Sequence, residues 1–133
     1  MATLAAVGGL TVAGAPNAAA DDRAIFELPF GATYYSGTIE FYNRSVVVAG
    51  SLRGLSTGCR RGYALSETAW GLVLDDNTTS ATCTGPVHRE IHLTADVAGG
   101  ARIVQVWLVD EDNGVLLVGC SVTRGGDRCV RIP

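Results

Sequence analysis

Three clusters in the chain combine residue types that can do chemistry. Gly54-Leu55-Ser56-Thr57-Gly58 has the G-x-S-x-G spacing of a nucleophile elbow, a sharp turn that exposes a serine hydroxyl. Asp75, Asp76, His88 and His92 follow it in the Ser–Asp–His order of α/β-hydrolases. That elbow needs a strand before the serine and a helix after it. Ser45–Arg53 reads as the strand, but Cys59-Arg60-Arg61-Gly62 opens a second strand rather than a helix. The motif is therefore expected to be a Gly/Ser turn, with no catalytic residue.

His88-Arg89-Glu90-Ile91-His92 spaces two imidazoles four residues apart around a carboxylate. On a helix such imidazoles converge on one ion. Along a strand they stand about 13 Å apart, at ~3.3 Å per residue. Neighbouring pairs could share a metal, but the third ligand has no candidate. Two solvated histidines and no metal or other cofactor are the expectation. Asp110-Glu111-Asp112-Asn113-Gly114 gathers three carboxylates, yet Gly114 comes one residue early for the D-x-D-x-D-G calcium loop. A solvated acidic turn is expected there, with loose calcium binding as the other option.

The aromatic side chains open to ligand contact are Trp70, Trp107, Tyr34, Tyr35 and Tyr42. Trp70 shares an alternating face with Leu72 and Leu74, which assigns it to the core. Trp107 falls in the other class, and the strands that carry it show why. Two short Val- and Leu-rich runs, Ile103–Val109 and Val115–Val122, flank a polar turn, the pattern of a β-hairpin. A two-residue loop, Asn113-Gly114, would set Trp107 opposite Cys120. A three-residue loop with Gly114 in the left-handed conformation pairs Leu108 with Val118, Val106 with Cys120 and Val104 with Val122. That face is wholly apolar, and a one-residue slip would turn every side chain the wrong way. The three-residue loop is therefore expected. Trp107 then lies outward, across Gly119, in a patch with Gln105, Val109 and Leu117, of the kind that meets a sugar, peptide or protein.

The remaining segments alternate in the same way. Ile39 and Phe41, then Val46, Val48 and Leu52, then Ile91, Leu93 and Ala95 form inward sets. Asp21–Tyr35 reads as an edge strand or an arm, since Pro29 is tolerated at edges. Cys59–Glu67, a strand from Trp70 that ends at Asp75-Asp76-Asn77, Thr79–Thr84 and Arg128–Ile132 complete the series. Turn signals recur every eight to twelve residues or so, and no helical period is present. The expected fold is all-β: an antiparallel two-sheet sandwich, immunoglobulin-like, of seven to nine strands.

Residues 1–20 carry no charge, are rich in Ala, Gly, Val and Leu, and end in small residues that suit cleavage before Asp21. They read as a signal peptide, with 21–133 as a single secreted domain. Four cysteines in an exported chain read as two disulfides. Three pairings are possible; Cys59–Cys83 and Cys120–Cys129 suit strands joined by hairpins. Cys129 alternates with Arg131, not with Val130 and Ile132, so a bulge near Gly125-Gly126 is expected to turn it inward beside Cys120. The net charge is −3, with no basic run. That argues against nucleic acid and anionic membranes, and no stretch after residue 20 is long and apolar enough to insert in one.

Glu40–Arg53, followed by Gly58-Cys59 and Cys83, resembles small secreted actinobacterial proteins with a turn before a Val-rich strand and a downstream Gly-Cys. The resemblance implies export and a disulfide-bonded β-sandwich, and carries over no catalytic residue. Size and cysteine number are also loosely similar to enediyne apoproteins and secreted subtilisin inhibitors. The long Cys59–Cys83 interval departs from the former, and neither family's motifs are present. Two functions from different classes follow. One is a secreted, non-enzymatic binding domain for a protein or carbohydrate outside the cell, centred on Trp107. The other is an inhibitor of an extracellular hydrolase that offers Arg124 from the Thr123–Arg128 loop to a trypsin-like pocket. A small hydrolase is the third and least favoured.

Overall fold

Side-chain alternation becomes nine strands in the computed structural model, which describes residues 22–133. They are β1 (Asp22–Phe30), β2 (Thr33–Phe41), β3 (Ser45–Arg53), β4 (Arg60–Glu67), β5 (Val73–Thr78), β6 (Val87–Thr94), β7 (Ile103–Asp110), β8 (Leu116–Thr123) and β9 (Val130–Arg131). All sheet pairings are antiparallel. One sheet has the order β1-β2-β3-β6 and the other β9-β8-β7-β4-β5. Pairing of β3 with β6, and of β4, β7 and β8 in one row, reproduces the B–E and C–F–G neighbours of the immunoglobulin fold, with β5 in the C′ place. The expected leader, residues 1–20, lies outside the described residues.

The core is where the two inner faces meet. Phe26, Tyr35, Phe41, Leu52 and Ile91 come from the four-stranded sheet, and Val104, Val106, Leu108, Cys120 and Val122 from the five-stranded one. Large residues on one side face small ones on the other. On β4 the inward set is Gly62, Ala64 and Ser66, while Tyr63 and Leu65 turn outward. A Cβ at Gly62 would strike the Tyr35 ring, so the phenol of one sheet occupies the space that the other leaves empty.

Both open edges of the sandwich are stitched. On the β1 edge, the Ile25 N–H donates to Asp127 O (3.0 Å) and Ile25 O accepts from Cys129 N–H (2.8 Å). Pro29 has the same parity as Ile25, so its missing N–H falls on this edge, where no ladder partner is lost. On the other side, Asp75 Oδ2 accepts from the Thr94 N–H (2.7 Å) and Ser66 Oγ donates to Thr94 O (3.2 Å), linking β5 and β4 to β6. The disulfides are Cys59–Cys83 and Cys120–Cys129, the pairing expected from spacing.

Of the two readings of Asp21–Tyr35 the edge strand holds, since Asp22–Phe30 is in full register with β2. Several other local expectations are corrected. The Trp70 strand starts only at Val73, and Asp75, Asp76 and Asn77 belong to it rather than ending it. A turn at Thr68–Gly71, with Gly71 at φ +86°, cuts Trp70 off from Leu74. Trp70 is 84% exposed and Leu72 62%, and only Leu74 of that set packs against the core. Thr79–Thr84 is a loop, bonded to β4 by Thr79 N–H on Gly62 O (2.9 Å) and by the bridge of Thr82 with Arg60. The last strand is shorter than Arg128–Ile132. Cys129 turns inward while Val130 is 69% exposed. Arg131 keeps the parity of Cys129 and lies opposite Cys120, beyond the edge of the core.

Candidate functional site

The outer face of the five-stranded sheet is built around the β7–β8 hairpin. The register is the expected one: Leu108 opposite Val118, Trp107 opposite Gly119, Val106 opposite Cys120 and Val104 opposite Val122. The loop differs. Asp110 N–H donates to Val115 O (2.9 Å) and Gly114 N–H to Asp110 O (2.8 Å), so four residues, Glu111 to Gly114, make the turn. Gly114 takes φ +70°, the left-handed conformation expected of it. A bulge between Leu116 and Val118 restores the alternation that the longer loop would have shifted.

That bulge changes the patch. Leu116, not Leu117, stands opposite Val109 and is 48% exposed. Leu117 is half-buried in the bulge, and Val109 is only 6% exposed. Val109 forms the floor of a depression of about 440 Å³ whose walls include Arg61, Tyr63, Thr78 and Leu116. Trp107 is half-buried, and its indole lies against Gly119 so closely that a Cβ there would overlap the ring. Trp107 Nε1–H donates to Gln105 Oε1 (3.0 Å), and Gln105 Nε2–H donates to Glu67 Oε1 (3.3 Å). This chain fixes both the indole plane and the amide.

Sequence reasoning passed over Tyr63. On β4 it pairs directly with Trp107, and its hydroxyl donates to Asp76 Oδ2 (2.9 Å). Partial burial, and then the Asp76 carboxylate, hold its ionisation above the usual tyrosine range. Its partner on the sheet comes from a strand some forty residues away, and local pattern does not reveal such a neighbour. The result is a cross-strand aromatic pair with hydrogen-bonded or ion-paired polar groups around it: Gln105, Glu67, Asp76 and Arg61.

The other candidates sit elsewhere. Ser56 lies at the tip of a two-residue turn closed by paired bonds between Leu55 and Gly58, each 2.9 Å, and a strand follows. The strand–turn–helix setting of a nucleophile elbow is absent there. His88, Glu90 and His92 stand in a row on the exposed face of β6. Each imidazole Nε2 is within hydrogen-bond distance of one Glu90 oxygen, at 2.9 and 3.0 Å. Bonds from His88 and then His92 hold the Glu90 carboxyl below its ordinary range. No group of three or more His, Cys, Asp or Glu placed to hold a metal occurs among the described residues.

The acidic turn is less free than its composition suggests. Glu111 pairs with Arg61, and Asp110 lies 3.6 Å from Arg60. Arg60 also donates to Thr33 Oγ1 (3.1 Å) and lies over the Phe30 ring, which makes it a tie between the sheets. Arg124 is not offered to solvent. Its guanidinium donates to Ala101 O (2.9 Å) and Tyr42 O (3.0 Å) and covers the Phe41 ring at 5.0 Å. An inhibitor loop of the trypsin-directed kind needs that side chain projecting. Of the tyrosines, Tyr35 is fully buried and belongs to the core, not to a contact surface.

Two cystines are the mark of a chain that folds in oxidising surroundings. No helix among the described residues is long and apolar enough to cross a membrane. No family model matches the chain, and neither a curated protein nor a solved structure does.

Proposed function

We propose that this is a secreted, non-enzymatic binding domain that meets an extracellular protein or carbohydrate with the outer face of its five-stranded sheet. The contact is centred on Trp107 and Tyr63, with Gln105 and Leu116 beside them. The observation that carries the reading is the fixed indole. Trp107 rests on bare Gly119 backbone and is held by Gln105, and Gln105 by Glu67. An aromatic plane that is already immobile loses little freedom on binding. The hydrogen-bonding groups around it can orient a partner that the rings attract. The net charge of −3, without a basic run, favours a partner other than nucleic acid or an anionic bilayer. Secretion rests on the cystines together with the apolar leader read from residues 1–20.

The test is capture on insoluble peptidoglycan, chitin and cellulose, with chemical cross-linking to whole cells in parallel. Wild-type chain, Trp107→Ala and Trp107→Phe are compared. The expected outcome is retention by at least one material. It should fall tenfold or more in Trp107→Ala and be partly restored in Trp107→Phe, with all three folded by circular dichroism. Equal retention of the folded variants would remove the Trp107 face as the contact surface.

A further inference from the structure

At the end of the sandwich where β4 runs into β5 and β6 into β7, two loops enclose a depression of about 500 Å³. Its lining includes Thr68, Ala69, Trp70, Val97, Ala98 and Arg102. Both walls are held by backbone bonds. In the first, Gly71 N–H donates to Thr68 O (3.0 Å), Thr68 N–H to Leu72 O (2.9 Å) and Leu72 N–H to Thr68 Oγ1 (3.1 Å). Such a tight turn, with Gly71 in the left-handed region, leaves Trp70 nowhere to fold back, and the indole stands 84% exposed. In the second wall, Gly100 N–H donates to Val97 O (2.9 Å), and the walls are tied together by Arg102 N–H on Glu67 O (2.9 Å).

The chemistry of the lining is one-sided. Trp70, Val97, Ala69 and Ala98 are apolar, and Leu72 and Val73 extend the exposed apolar surface past the rim. Arg102 supplies a cation. Among the described residues no carboxylate lies within ion-pair distance of its guanidinium, and three acids of the adjoining strands and loops have other partners. Glu67 takes Gln105, Asp96 takes Arg44, and Asp75 takes the Thr94 N–H. A guanidinium without an anion, beside an indole, is complementary to an anion carried on an apolar body.

We propose that this depression binds a small carboxylic acid with an aromatic or aliphatic body. Arg102 donates to the carboxylate in the two-pronged geometry that guanidinium and carboxylate share. Trp70 and Val97 cover the body, and the volume falls within the range of small-molecule sites. The site lies on the end loops and does not depend on the Trp107 face.

The test uses the full domain, isotopically labelled and followed by amide NMR, titrated with 4-phenylbutyrate and with the uncharged 4-phenylbutanamide. The acid should shift the amides of Thr68 to Gly71 and Val97 to Arg102, and bind at least tenfold more tightly than the amide. Arg102→Gln should abolish that preference, and Trp70→Ala should weaken both probes at least tenfold. Both residues are exposed, so amide spectra away from the depression should stay unchanged and report folding. Equal binding of acid and amide, shifts centred on other residues, or no saturable shift at all would overturn the assignment.

Discussion

Tyr35 shows how one side chain ties sequence chemistry to fold. It is fully buried, packs edge-on against Phe26 with ring centres 4.9 Å apart, and reaches across β3 to donate its hydroxyl to Arg89 O (3.1 Å). That carbonyl belongs to β6, two strands from β2, so the phenol ties β2 to β6 across the strand between them. Burial, with a smaller contribution from the Glu90 charge, pushes its ionisation well above the ordinary 10.0. The sign of the pH effect follows. Above pH 10 the unfolded chain releases this proton while the folded chain keeps it, so stability falls as pH rises. Below pH 10 both states hold the proton and the effect vanishes. Tyr35→Phe should therefore cost about 1 kcal/mol at neutral pH, the value of one hydrogen bond. The difference from wild type should close near pH 11, since ionisation of the unfolded tyrosine then penalises wild type by about 1.4 kcal/mol. Urea titrations at pH 7.5 and pH 11 measure both. A difference that stays constant across that range would show that Tyr35 ionises as easily in the fold as outside it.

At the level of elements, the β2–β3 pair is where the backbone itself is the constraint. Gly37 and Gly50 are direct cross-strand partners on the inward-facing parity. A Cβ at either would come closer than 3.0 Å to backbone atoms of the facing strand. Neither needs a left-handed backbone; what each needs is close approach. Gly37→Ala should therefore destabilise by about 3 kcal/mol or more, at the upper end of overpacking effects. Thr38→Ala, one residue on and facing outward, should stay within about 0.5 kcal/mol. Thermal unfolding of the two variants checks the contrast, and similar melts would show that the pair tolerates a side chain. The same elements show what could be read beforehand. Strand alternation, the inward sets of β2, β3 and β6 and the β7–β8 register follow from local pattern, because apolar faces admit only one register. Trp70 and Tyr63 do not. Trp70 alternates with Leu72 and Leu74, but a turn closed by Gly71 overrides the alternation. Tyr63 turns outward because the inner face of β4 must be small to accept Tyr35, a residue from the other sheet. The Leu116 bulge is likewise a consequence of how long the turn is, which composition leaves open.

Across the whole molecule, the two cystines act on different things although they look alike in sequence. Cys59–Cys83 spans 24 residues and Cys120–Cys129 spans 9. By loop-closure entropy alone, their removal should cost about 3.5 and about 2.7 kcal/mol, the longer loop mattering more. Position reverses the ranking for solution behaviour. Cys129 is part of the segment that covers the β1 edge, donating its N–H to Ile25 O while Asp127 O accepts the Ile25 N–H. Cutting Cys120–Cys129 frees that segment and leaves a nine-residue edge strand with unpaired groups, guarded by Asp22, Arg23, Glu27 and Pro29. The double variant Cys120→Ala/Cys129→Ala should therefore show a mass that rises with concentration in light scattering. Cys59→Ala/Cys83→Ala should unfold at lower denaturant and yet keep the wild-type concentration dependence, because the segment that covers β1 stays in place. If the second variant associates and the first does not, edge protection by the C-terminal segment is not what keeps this sandwich from pairing with its own kind.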